Sequence, residues 1–175
     1  IANWHLYLFD GFGSFDPNVI YNRIEYLASG LECRVVFLDH LSILLSGLDG
    51  DERKMIDSTM TRLRSLVERT GISLFLVSHL RRSNNDRTSH EEGGRVSLSQ
   101  LRGSHSIAQI SDQVIALERD QQADAERDVT TLRVIKNRYS GETGYAGKIR
   151  FNLSTSRFTE YETTEPPVFN ATTDF

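Results

Sequence analysis

The sequence predicts an α/β fold: a mainly parallel sheet flanked by helices, with an antiparallel hairpin toward the carboxy-terminal end. Three observations predict it. Short apolar runs end abruptly in polar residues, at 35–38 before Asp39 and at 72–77 before Ser78-His79. Between those runs, apolar residues recur at helical spacing over about five turns. Beyond residue 113 the apolar runs are short, partly alternating and separated by turn residues.

The elements follow in order. Residues 4–9 read as a short buried strand. Asp16-Pro17 starts a helix, with Asp as N-cap and Pro at the first helical position. That helix turns Val19, Ile20, Ile24 and Leu27 inward and stops at Ser29-Gly30. The run 35–38 is apolar on both faces, the pattern of a central parallel strand. Residues 40–50 read as a loop. A helix over 51–70 carries Met55, Ile56, Met60, Leu63, Leu66 and Val67, and Gly71 stops it. A strand over 72–77 follows. Residues 81–96 are polar, Gly-containing and without periodicity, which predicts a mobile loop. Residues 97–111 are helical in part, interrupted at Gly103. Strands are predicted over 114–117, 130–135, 148–153 and 158–161, with a Gly-rich turn at 139–147. The last residues hold Pro166-Pro167 and few apolar side chains, the composition of a flexible acidic tail. The predicted organisation is one domain over 1–162 and a tail over 163–175.

With 175 residues the chain can bury a real core, and its 38% hydrophobic and 25% charged residues are those of an ordinary globular protein. No apolar run approaches the roughly 18–20 residues that span a bilayer. The first residues lack the basic start and cleavage site of a signal peptide. The chain opens with Ile1 rather than Met, which predicts a fragment or a processed piece. Cys33 is the single cysteine, so neither a disulfide framework nor a cysteine zinc site is available. A net charge of -4 does not favour nucleic-acid binding by the whole surface. Basic residues nevertheless cluster at Arg81, Arg82 and Arg87.

Ligands of open α/β sheets bind beyond the carboxyl ends of the strands. Asp39 and His79 stand there. An apolar strand ending in Asp is the pattern that holds Mg²⁺ beside a nucleotide phosphate; it is also an ordinary strand cap. His79 reads as a phosphate-sensing donor or as a hydrogen-bonded histidine at a sheet edge. Lys136 and Arg138 lie two apart on one strand and share a face. Arg138, presented at a hairpin, reads as an arginine finger that could reach a neighbour's nucleotide, or the two read as a solvated edge-strand pair that deters aggregation. Arg81, Arg82 and Arg87, with Asn84 and Asn85, read as a phosphate-gripping loop or as a solvated one. The stretch 141–148 imitates a phosphate-binding loop. It has five residues between its outer glycines where four are needed, and Ile149 stands where Ser or Thr belongs. It also lies between strands, with no helix N-terminus to receive phosphate.

Several segments together resemble the helicase half of short-tailed-phage primase–helicases. They are Val35-Val36-Phe37-Leu38-Asp39-His40-Leu41-Ser42-Ile43, Asp51-Glu52-Arg53-Lys54-Met55-Ile56-Asp57, Ser89-His90-Glu91-Glu92-Gly93, Leu101-Arg102-Gly103-Ser104 and Ile115-Ala116-Leu117-Glu118-Arg119. The helicases Twinkle and DnaB share the more general parts. The resemblance implies a RecA-like nucleotide-hydrolase core working as a homo-hexameric ring on single-stranded DNA, with ATP or dNTP and Mg²⁺ between subunits. It implies Asp39 as the Mg²⁺-holding aspartate, His79 as phosphate sensor, and Arg138 as an arginine finger with Lys136 close by. It also implies Arg119 and Phe151 around the base, and Arg81, Arg82, Arg87 and Arg102 on DNA. The ending Thr173-Asp174-Phe175 resembles an acidic tail whose terminal aromatic docks on the replicative DNA polymerase. The family's phosphate-loop lysine and serine, its catalytic glutamate and its primase domain have no counterpart and are expected upstream. The chain alone is therefore expected to be inactive, and its location is the cytoplasm of a phage-infected bacterium. The alternative is a non-catalytic module that joins helicase rings or recruits a polymerase.

Overall fold

In a computed structural model of the chain, residues 6–9, 16–45, 50–80, 89–101 and 105–162 are described. The chain divides into two compact units, Ile1–Ser78 and His79–Phe175.

The first unit is built on local signals that the sequence carries openly. Helix α1 spans Pro17–Gly30, and the Asp16 side chain accepts from the Asn18 amide at 2.9 Å. Its buried face is Pro17, Ile20, Tyr21 and Ile24, so Tyr21 takes the place expected of Val19, which is exposed. The i, i+3, i+4, i+7 spacing selects Tyr21, and Arg62 stacks over its ring at 4.2 Å. Strand β1 (Val35–Leu38) follows. The expected loop at 40–50 holds a short helix, α2, over Leu41–Leu45. Leu41, Leu44 and Leu45 are buried at i, i+3 and i+4, and that burial holds so short a helix. Helix α3 runs over Glu52–Thr70. Asp51 caps it through the amides of Arg53 and Lys54, and Gly71 ends it at φ 70°, a conformation that suits glycine. Strand β2 (Ser73–Leu76) pairs parallel to β1, with Val36 opposite Leu74 and Phe37 opposite Phe75.

Helices α1, α2 and α3 pack together, and Leu44, Ile56 and Leu63 are the most deeply buried side chains. The strands are apolar on both faces, as predicted. Phe37 and Phe75 stack with ring centroids 4.8 Å apart and stay largely exposed, whereas Val36 is buried. Residues 6–9 form no strand; Leu6 and Leu8 are exposed, and no described strand pairs with them. The rest of the expected strand at 4–9 lies outside the described residues.

The second unit contains a short helix and a four-stranded sheet. A 3₁₀ turn over Leu98–Gln100 precedes helix α4 (His105–Ile110). Strands β3 (Gln113–Glu118), β4 (Val129–Asn137), β5 (Gly144–Asn152) and β6 (Arg157–Glu160) pair antiparallel in sequence order. The antiparallel part is therefore larger than one hairpin, and β3 belongs to it. A four-residue apolar core such as Val114 to Leu117 looks the same in either setting. Only its register against β4, Gln113 opposite Asn137 and Glu118 opposite Thr131, distinguishes them.

Candidate functional site

In the first unit the candidate group is Asp39. Parallel pairing continues just past the named strands: the Val77 amide donates to the Leu38 carbonyl at 3.0 Å, and the Leu41 amide donates to the Val77 carbonyl at 3.0 Å. These two bonds bracket residues 39–40 and fix them at the carboxyl edge of β1. The peptide bond between them is cis. Asp39 is exposed, and among the described residues its carboxylate takes part in no hydrogen bond or ion pair. A carboxylate whose backbone is held in this way while its side chain stays bare keeps its lone pairs for solvent or a hard cation.

The second unit starts at His79, which is exposed. Leu80 forms an antiparallel bridge with Leu101, closing the base of the segment between them. Arg81, Arg82, Arg87 and Arg102, expected on DNA, lie outside the described residues, as do Asp174 and Phe175. The part of the segment that is described is pinned along the end of β3. The Gln121 amide donates to the Glu91 carbonyl at 2.9 Å, and Glu92 bridges to Asp120. Gly93 sits at φ 76° so close to Asp120 that a Cβ there would stand 3.0 Å from the Asp120 Cβ. The Val96 amide donates to Glu118 Oε1 at 2.8 Å.

Glu118 is the buried charge of this unit, its side chain 5% exposed. Arg133 Nε reaches both its oxygens at 3.1 Å. A buried carboxylate that accepts several N–H bonds is satisfied rather than stranded. Sequence reading missed this residue because its partners stand 15 and 22 positions away.

The expected nucleotide residues separate into two groups. Arg119 is exposed just past β3. Phe151, half-buried on β5, faces Phe158 at 5.0 Å between ring centroids. Its amide donates to the Asp128 carbonyl, just before the first residue of β4. Arg119 and Phe151 thus share one end of the sheet. Lys136 and Arg138 occupy the other, since Gln113 opposes Asn137. At about 3.4 Å per residue the six residues from 113 to 119 separate the two ends by roughly 20 Å.

Lys136 and Arg138 meet at the carboxyl end of α4. Lys136 Nζ donates to the carbonyls of Ala108, Gln109 (3.1 Å) and Ser111 (2.7 Å). Burial pushes the Lys136 pKa below the usual lysine range, the nearby Arg138 pushes it the same way, and Asp112 opposes them. Arg138 donates from Nη2 to the Gln109 carbonyl at 2.6 Å and from Nη1 to Asp112 Oδ1 at 3.1 Å. Both cations thus have defined partners at this helix end.

A model of the DnaB-like helicase C-terminal domain family matches residues 1–160. The chain belongs to that family. Over 150 residues it is 40% identical to the DNA helicase/primase of Enterobacteria phage T3, covering 85% of this chain and 26% of that protein. Over 158 residues it is 26% identical to a probable plasmid replicative DNA helicase of Chlamydia muridarum (strain MoPn / Nigg), covering 90% of this chain and 33% of that one. The chain therefore spans about a quarter to a third of these curated relatives. Among solved structures, a DnaB-like replicative helicase described with its interactions with primase superposes at a TM-score of 0.70 and 20% identity, over 88% of this chain and 36% of that one. The RecA-like fold of a DnaB-like helicase domain is thereby established.

Proposed function

We propose that the chain acts within a nucleotide-driven replicative helicase that works as a homo-hexameric ring, moves along single-stranded DNA and separates duplex. The observation that carries this reading is the bare carboxylate of Asp39 at the strand edge of a DnaB-like helicase domain. Asp39 fits a place beside Mg²⁺, bound directly or through water, because it is a hard oxygen donor with no competing partner among the described residues. Mg²⁺ is commonly held by one or two carboxylates and takes its other ligands from water and phosphate. Bound ATP or dNTP with Mg²⁺ supplies the phosphoanhydride bond whose cleavage drives movement. His79, one residue before the bridge at Leu80, relays phosphate state to the segment it opens. Arg119 and Phe151 pack around the base. Arg138, at the far end of the same sheet, serves the nucleotide of the adjacent subunit; that separation supports one group for the chain's own nucleotide and another for its neighbour's. Arg81, Arg82, Arg87 and Arg102 neutralise DNA phosphates, and Asp174 and Phe175 bind the replicative polymerase. The phage T3 relative supports work in the cytoplasm of an infected bacterium, and no described helix is long and apolar enough to cross a membrane.

Strand displacement on a forked duplex by the full-length protein tests this reading. Wild type is expected to displace the strand with ATP or dNTP and Mg²⁺, and Asp39→Asn to lose that activity with its melting temperature unchanged. Full displacement by the variant, or none by wild type, would defeat the proposal. Neutralising Arg81, Arg82 and Arg87 together should also reduce the salt slope of single-strand binding by about 2, at about 0.7 per phosphate contact.

A further inference from the structure

We infer that the carboxyl end of α4 is a socket that seats Arg138, with Asp112 and Lys136 as positioning residues; this rests on the reading that Arg138 serves a neighbouring subunit's nucleotide. A guanidinium offers five N–H donors in one plane. Two are taken here, one by Asp112 Oδ1 and one by the Gln109 carbonyl. Three point elsewhere, and the Arg138 side chain remains 45% exposed. The seat fixes the orientation of the fork without covering it. The backbone is anchored to the same residue, since the Arg138 amide donates to the Asp112 carbonyl at 2.8 Å. Side chain and main chain are therefore located by one point.

The seat itself is made by Lys136. The last carbonyls of a helix have no partner within the helix and carry its negative end. An ammonium has three N–H donors, and Lys136 directs hydrogen bonds to three carbonyls at this end. Gln109 is common to both cations: its carbonyl accepts from Lys136 and from Arg138. Lys136 thus holds the acceptor that holds Arg138. To reach phosphate it would have to release those carbonyls. Asp112 completes the socket by balancing two adjacent cations, consistent with its opposing effect on the Lys136 pKa.

The test is single-strand-stimulated ATP hydrolysis by the full-length protein. Asp112→Ala is expected to lower kcat about tenfold, because small misplacements of a catalytic group are costly, with KM and Tm unchanged. Asp112→Asn, which keeps the Oδ1 acceptor, should recover most of the rate. In an Arg138→Ala background Asp112→Ala should cost nothing further, because Asp112 acts through Arg138. Should Asp112→Ala fail to fold, Asp112→Ser, too short to reach Nη1, carries the same comparison. A wild-type kcat in Asp112→Ala, or its full loss added on top of Arg138→Ala, would overturn the socket. Wild-type turnover by Arg138→Ala itself would instead remove the neighbour-site reading, and the socket's role with it.

Discussion

The two units solve the placing of charge in opposite ways. In the first, residues Ile1–Ser78, the core is apolar and helix-lined, and the candidate carboxylate, Asp39, stands at a strand end with no side-chain partner among the described residues. In the second, residues His79–Phe175, charge is woven into the frame. Glu118 clasps Arg133 and the Val96 amide, Arg138 pairs with Asp112, and Lys136 closes a helix end. The difference teaches what each unit is suited to do. A bare group on an apolar scaffold can accept an outside ligand without first losing an internal one. A cation already seated on carbonyls and a carboxylate is held in place for contact with something brought to it.

This contrast predicts an ordered set of stability effects. The largest belongs to Glu118→Ala, which strands Arg133 and the Val96 amide in a buried place; a loss of about 3–5 kcal/mol is expected in chemical denaturation. A loss under about 1 kcal/mol would mean that the network is slack and the contrast overstated. Next comes Ile56→Ala in the first unit, 1% exposed, with a loss of about 3 kcal/mol from transfer and cavity terms together. A much smaller cost would show that the helices of that unit close over the gap. The smallest effect belongs to Asp39→Asn, whose carboxylate has no partner among the described residues and which should leave stability within about 0.5 kcal/mol. A large change there would reveal a structural carboxylate and sink the comparison at its most informative residue.

What could be read from sequence follows the same division. Asp16-Pro17 and Gly71 announce helix ends through neighbours two to four residues away, and the structure has those ends. Asp39 could be singled out because an apolar run ending in Asp is a contiguous pattern. Helix α2 was hidden by its length, five residues among Ser and Gly, although its Leu41, Leu44 and Leu45 spacing is visible in retrospect. The antiparallel setting of β3 depends on pairing with β4, which no local pattern records. The seat of Arg138 was illegible for the same reason: its acceptors stand 26 and 29 positions earlier, and one is a backbone carbonyl with no side-chain signature.

One assay bears most directly on the central claim, that Asp39 and Arg138 serve nucleotide turnover in a DNA helicase. Hydrolysis of ATP by the full-length protein would be measured with and without single-stranded DNA, for wild type, Asp39→Asn and Arg138→Ala. The account predicts that DNA accelerates the wild type and that Arg138→Ala loses about a thousandfold, the scale of a lost arginine finger. It predicts that Asp39→Asn loses turnover as well, with both variants melting like wild type. Turnover at the wild-type rate by either variant, or no acceleration of the wild type by DNA, would contradict it.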